Sequence, residues 1–167
     1  MAAGYFIRPA KLEDIGALTD LCMRSKQSNG YDDDFMAQCA EELRVRESWV
    51  LEDDFWLAET EGGKVVGCIR LSEDLSAGTG ELETCFVDPH WQGARIGRTL
   101  FGRLHETARR HGLKRIGLDA DPHAEAFYAR MGFTTVGRSP SGSIPGRSLP
   151  RMELDLSPED GMERQDT

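Results

Sequence analysis

Apolar positions recur along this chain with two periods, and the changes between them mark its elements. Residues 5–8 read as a short strand. Pro9 then suits the first turn of a helix that carries Leu12, Ile15, Leu18 and Cys22 on one stripe. A polar loop at 25–34 leads to a second helix, striped by Phe35, Met36, Cys39 and Leu43. Strands at 55–60 and 65–71 flank Glu61-Gly62-Gly63-Lys64, a hairpin signal. A strand at 79–87 precedes a helix at 93–111, which Gly112 ends. Residues 115–120 alternate as a half-buried strand does, with Ile116, Leu118 and Ala120 as its apolar set. Asp121-Pro122 reads as the cap and first residue of a short helix closed by Gly132. Strands near 134–137 and 151–156 enclose the loop S-P-S-G-S-I-P-G-R-S-L-P.

The order β-α-α-β-β-β-α-β-α-β-β predicts an α/β sheet with helices on both faces. Residues 1–156 are expected to form one domain, and the polar, acidic stretch 157–167 a mobile tail. No internal repeat is visible. At 167 residues, 39% of them hydrophobic and 29% charged, the chain is long enough for a real core. No apolar run approaches the roughly 18 to 20 residues that span a bilayer, and the first residues lack the pattern of a secretory signal. Cys22, Cys39, Cys68 and Cys85 lie far apart without a C-x-x-C pair. They read as reduced, buried thiols of a cytoplasmic protein rather than as metal ligands. None of the four histidines has metal-ligand spacing, and no metal is expected.

The net charge of −9 argues against a nucleic-acid partner. Its distribution is uneven. Residues 1–80 carry eight basic and sixteen acidic side chains, whereas 91–118 carry seven basic ones and the single acidic Glu106. An acidic chain with one basic helix suits an anionic cofactor at that helix and a cationic second substrate elsewhere. A solvated amphipathic helix would show the same charges.

The cofactor reading is sharpened by residues 87–99, V-D-P-H-W-Q-G-A-R-I-G-R-T. A strand that feeds a tight loop onto a helix N-terminus gathers backbone N–H groups at one spot, where a phosphate or pyrophosphate fits. Competing motifs fail on spacing. A Walker loop needs four residues between Gly and Gly-Lys-Ser/Thr, but only three separate Gly93 from Gly97-Arg98-Thr99. His105-Glu106-Thr107-Ala108-Arg109 lacks the second histidine of a zinc protease.

Two motifs here resemble the GCN5-related N-acetyltransferase (GNAT) superfamily. Gln92-Gly93-Ala94-Arg95-Ile96-Gly97 is similar to its acetyl-coenzyme A loop. Ala124-Glu125-Ala126-Phe127-Tyr128-Ala129-Arg130-Met131-Gly132-Phe133 is similar to its Ala-x-x-apolar-Tyr…Gly-Phe helix, about 30 residues downstream. The likeness covers roughly residues 4–156. It implies a mixed, mostly antiparallel sheet of about six or seven strands flanked by about four helices. Arg95 departs from the pattern, because the family usually has a glycine there, able to adopt positive φ.

The resemblance also implies roles. Backbone N–H groups near Phe86 and Val87 would hold the acetyl carbonyl and pantetheine. Gln92, Gly93, Ala94, Arg95, Ile96, Gly97 and Arg98 would hold the diphosphate, and Asp121 would border the cofactor. Tyr128 matches the tyrosine that protonates the departing thiolate, since a phenol can donate a proton to sulfur. Glu83 matches a glutamate that acts as base, directly or through water, with Glu81 as substitute or acceptor-binding charge. Strict alternation would put Glu81, Glu83, Cys85 and Val87 on one face. Tyr31, beside Asp32, Asp33 and Asp34, would border an acceptor pocket that attracts an ammonium group, and Arg147 would clamp an acceptor carboxylate.

The function expected is acetyl-coenzyme A-dependent N-acetylation of a small-molecule primary amine, by direct transfer in a ternary complex. Two alternatives stay open: a non-catalytic acyl-coenzyme A sensor, and a protein or peptide N-acetyltransferase. Neither nucleic acid nor membrane is an expected partner. Family members often dimerise, so a homodimer is among the expectations.

Overall fold

The computed structural model describes residues 4–92 and 95–156. Gly93 and Ala94 of the expected cofactor loop, and the expected tail at 157–167, lie outside the described residues. Strands β1 (Tyr5–Pro9), β2 (Asp54–Thr60), β3 (Val65–Asp74), β4 (Thr79–Val87), β5 (Arg115–Asp119), β6 (Thr134–Pro140) and β7 (Ser148–Asp155) form one sheet in the order β1-β2-β3-β4-β5-β7-β6. Helices α1 (Ile15–Gln27), α2 (Asp33–Leu43) and α3 (Glu47–Glu52) precede β2; α4 (Ile96–Arg110) follows β4, and α5 (Glu125–Arg130) follows β5. All neighbouring strands are antiparallel except β4 and β5.

Two cores flank the sheet. On one face Ile96, Leu100, Leu104 and Ala108 of α4, four residues apart, pack on Ile69, Leu71, Ile116 and Leu118. Gly67 permits that approach, because a Cβ there would lie 2.5 Å from Ile96. On the other face Leu18, Leu21 and Cys22 of α1 cover Phe55, Leu57, Val65 and Cys68.

Three features differ from the sequence reading. Pro9 ends β1 opposite Trp56 instead of opening a helix; a 3-10 turn at Leu12–Asp14 starts the helical region, and the Asp14 carboxylate accepts from the Lys11 N–H. Helix α3 went unread, since its Trp49, Val50 and Leu51 make no clean stripe. Most consequential is β4. Leu71 pairs with Leu82 but Arg70 pairs with Thr84, so Glu83 is an extra residue in a bulge. The bulge resets the alternation. Leu82, Cys85 and Val87 all pack toward the α4 core, and Phe86 packs toward the α1 core. Glu81, next to Leu82, therefore lies on the face opposite Cys85 and Val87, and the expected shared face does not exist.

Candidate active site

Parallel pairing between β4 and β5 covers only Thr79–Arg115, Gly80–Ile116 and Glu81–Gly117. Beyond Glu81 the two strands diverge, and residues 82–87 have no strand on that side among the described residues. The gap opens into a cavity of about 800 Å³. Its lining includes Glu81, Glu83, Phe86, Val87, Gln92, Arg95, Ile96, Gly97, Arg98, Asp121 and Tyr128. The structure thus gathers nearly every predicted site residue it describes around one space. Tyr31 and Arg147 are outside that lining.

At one end the cavity meets the start of α4. Among the described residues the first helical hydrogen bond runs from the Thr99 N–H to the Arg95 carbonyl at 3.0 Å, and the N–H groups of Ile96, Gly97 and Arg98 have no acceptor. They and the helix dipole favour an anion there. Arg95 takes φ 65°, the left-handed conformation, and is alone in this among described non-glycine residues. The position thus has the geometry for which glycine is suited, held by arginine at a cost of about 1 kcal/mol. Gly97 packs under Phe127: a Cβ there would lie 3.1 Å from the ring's Cζ.

The corner between β4 and this turn is clamped by buried polar groups. The Asp88 carboxylate, fully buried, accepts from the His90 N–H at 2.8 Å and from Arg24 Nε at 2.9 Å. Burial alone would push its pKa up, but these donors hold it below the ordinary carboxylate range. Ser25 Oγ at 2.9 Å and Gln92 Nε2 at 3.2 Å both donate to the Val87 carbonyl.

Tyr128 on α5 is 7% exposed, and its hydroxyl lies beside the Cys85 thiol. Burial and this thiol push the phenol well above its ordinary pKa, and burial raises Cys85 to about 11. Both keep their protons at neutral pH. Glu83, exposed in its bulge, accepts from Ser72 Oγ at 2.7 Å. Glu81 is held by Arg151 through two bonds of 2.6 and 2.9 Å.

Tyr31 and Arg147 form a seam with Asp121 instead of facing the cavity. The Tyr31 hydroxyl donates to Asp121 at 3.0 Å and accepts from Arg147 Nη2 at 2.7 Å, while Lys26 Nζ donates to Asp121 at 2.9 Å. Burial, followed by the Asp121 charge, raises the Tyr31 pKa to about 12. Burial would raise Asp121 too, but Lys26 and the His123 N–H outweigh it and leave the carboxyl well below its usual value. Asp32 accepts from the Phe35 N–H at 2.8 Å as cap of α2, and Asp33 accepts from Gln27 at 3.0 Å. The seam ties α1 and α2 to the β5–α5 connection.

Sequence reasoning missed Arg70. It lies on β3, 6% exposed, and also lines the cavity. A lone charge inside the apolar run V-V-G-C-I-R-L was the available signal. The described residues also bring Asp54, Glu73 and His111 together, with ligand-type atoms within 4.8 Å of one another. None of the three lines the cavity. No described helix is long and apolar enough to cross a membrane.

Known proteins share this architecture. PaiA N-acetyltransferase from Thermoplasma acidophilum, solved in complex with coenzyme A, superposes with a TM-score of 0.75 at 20% identity, over 93% of this chain and all of that one. A GCN5-related N-acetyltransferase from Rhodopseudomonas palustris gives 0.76 at 21% identity, over 90% and 95%. In sequence, the chain is 34% identical to an IAA acetyltransferase of Azospirillum brasilense over 85 residues, 49% of this chain and 56% of that protein. It is 32% identical to a mycothiol acetyltransferase of Beutenbergia cavernae over 114 residues, 65% and 38%. An amino-acid acetyltransferase of Mycobacterium tuberculosis is 38% identical over 89 residues, 52% and 49%. The chain therefore spans 38–56% of the length of these relatives. Residues 17–133 match the family model described as acetyltransferase (GNAT) family, and with the splayed β4–β5 pair and the turn before α4 this chain belongs to the GNAT family.

Proposed function

We propose that this protein is an acetyl-coenzyme A-dependent N-acetyltransferase that acts on a primary amine of a small molecule, by direct transfer within a ternary complex. The observation that carries this reading is the cavity where β4 and β5 diverge, bordered at once by a helix start suited to an anion, a buried phenol and an exposed carboxylate. The residues fit the cofactor. N–H groups at 96–98, without an acceptor among the described residues, and the guanidinium groups of Arg95 and Arg98 suit a diphosphate. The gap beside residues 82–87 leaves strand backbone open to an extended ligand. Coenzyme A-bound neighbours of the same fold support the assignment.

When bound, the cofactor supplies an activated acetyl thioester. This chain's residues supply position and protons. The Tyr128 phenol, its pKa raised by burial, retains a proton at neutral pH and donates it to the departing sulfur. Glu83, on the bulge, draws the ammonium form of the acceptor and removes its proton directly or through water. A strand N–H facing the acetyl oxygen contributes roughly 3 kcal/mol as charge develops there. Relatives named for amino acids and for glucosamine 6-phosphate support a small-molecule acceptor.

The test is calorimetric titration with acetyl-coenzyme A, followed by assay of free thiol with amines and peptides. Binding with thiol release from small amines is expected. Binding without release from any acceptor would make the protein a sensor, and no binding would overturn the reading entirely.

A further inference from the structure

We propose that Arg70 is the residue that binds the acceptor's carboxylate, so that the acceptor class is an amine carrying its own carboxylate group. This deepens the acetyltransferase reading and rests on it. Arg70 is held on three sides. Its Nε donates to Thr84 Oγ1 at 3.1 Å, its Nη1 donates to Asp53 Oδ2 at 2.7 Å, and its Cζ lies 3.7 Å from the centroid of the Trp49 ring. Its Nη2 has no hydrogen-bond partner among the described residues, although the residue is 6% exposed and lines the cavity. A guanidinium so fixed, with one edge left open, is preorganised for an oxygen anion.

The surroundings define the rest of the ligand. Thr84, bonded to Arg70, follows Glu83 in the bulge, and Ser72, two residues along β3, donates to Glu83. Arg70 and the candidate base thus flank one bulge in one wall. Asp53 already balances the Arg70 charge, and Glu83 adds a negative one, so a plain carboxylate would enter an unfavourable field. A zwitterion adds no net charge: its ammonium goes to Glu83 and its carboxylate to Nη2.

The experiment compares common L-amino acids with their carboxamides, alongside spermidine and glucosamine, by thiol release with saturating acetyl-coenzyme A at one fixed pH, with KM referred to the concentration of each acceptor's ammonium form. Wild-type protein should show a KM about 30-fold lower for acid than amide, the range of a charge-assisted hydrogen bond. Arg70→Gln should raise the KM of the acid about 30-fold and change kcat less than about threefold, with acetyl-coenzyme A binding by calorimetry as the control for folding. Should the unpaired Asp53 prevent folding, the double variant R70Q/D53N removes both charges. Equal KM values for acid and amide in wild type, or a preference that survives in Arg70→Gln, would overturn the proposal. Turnover of spermidine or glucosamine equal to that of the acids would do so while leaving the acetyltransferase reading intact. Thiol release from none of the panel would sink both.

Discussion

The two ends of the cavity are built in opposite ways. The end beside α4 and α5 is made from short stretches: 86–92 and 95–98 supply the strand end and helix start, and 121–131 supplies the phenol and its neighbours. The other end takes Trp49 from α3, Arg70 from β3, Glu83 from the β4 bulge, Glu42 from α2, and Gly142 and Leu149 around the β6–β7 loop. The first end works largely through backbone N–H groups and one buried hydroxyl. The second works through side chains, Arg70 held by its ion pair with Asp53 and Glu83 by Ser72. Backbone recognition of one cofactor tolerates little change of path, whereas side chains on separate elements can change singly. On the proposed reading, the cofactor and the proton donor belong to the first end, and the proton acceptor and acceptor choice to the second.

The largest effect should separate the two ends outright. Tyr128→Phe is expected to lower kcat by about 10²- to 10³-fold with little change in acceptor KM, measured by thiol release on the best acceptor of the panel. Undiminished turnover would remove the phenol from the chemistry and leave the first end a binding site only.

Next comes the seam that joins the ends. Asp121→Asn strips Lys26, Tyr31 and the His123 N–H of a charged acceptor, and should cost about 1–3 kcal/mol in denaturant unfolding. The folded carboxyl lies below its unfolded pKa, so its contribution is present above about pH 4 and is lost on acidification. The variant should therefore lose less stability than wild type between pH 4 and pH 2. Parallel acid limbs would show that the seam does not hold the carboxylate.

A smaller effect of opposite sign is expected away from the cavity. Burial, then the adjacent Glu73, raises Asp54 to about 7, while the facing His111 opposes the rise and Asp53 adds to it. The folded state thus binds more protons than the unfolded one between about pH 4 and 7, and stability falls across that window as pH rises. Asp54→Asn should remove that fall. With water screening the cluster, the gain at pH 7.5 should be about 0.5 kcal/mol, read as Tm, and absent at pH 4. A gain of equal size at both pH values would refute the titration.

The smallest test concerns the turn before α4. Arg95→Gly and Arg95→Ala both delete the guanidinium, but only alanine retains the left-handed penalty at φ 65°. The glycine variant should be the more stable of the pair by about 0.5–1 kcal/mol, and the two should bind acetyl-coenzyme A equally if backbone N–H groups dominate. Equal stability would mean the turn relaxes to another conformation.

Legibility in the sequence follows the same division. Asp121 before Pro122 could be read as a cap because the capping atom and its N–H are two residues apart, and the structure has that bond at 2.9 Å. Residues 92–98 could be read as a candidate phosphate turn because a strand that runs through a glycine-bearing loop onto a helix is a local pattern, and among the described residues of that turn Arg95, at φ 65°, takes an unusual path. Pro9 was misread because its fixed φ suits a strand end as well as a helix start. Tyr31 and Arg147 suggested an acceptor pocket by residue type alone, yet Asp121, 90 positions from Tyr31, sets what they touch.

By itself, the sequence determined what short range controls: the strand and helix periods, the hairpin at 61–64, the caps, and the two motifs that identify the family. Only the tertiary structure decided which side chains share a space. The bulge at Glu83 depends on how Arg70 and Leu71 of another strand pair with β4, and it alone moves Glu81 away from Cys85. In the proposal, Arg70 becomes a recognition group only because Thr84 of β4, Trp49 of α3 and Asp53 at the end of α3 hold it with one edge open. Local patterns are written by backbone geometry over a few residues, while a site's electrostatics arise from charges that the chain brings together across dozens.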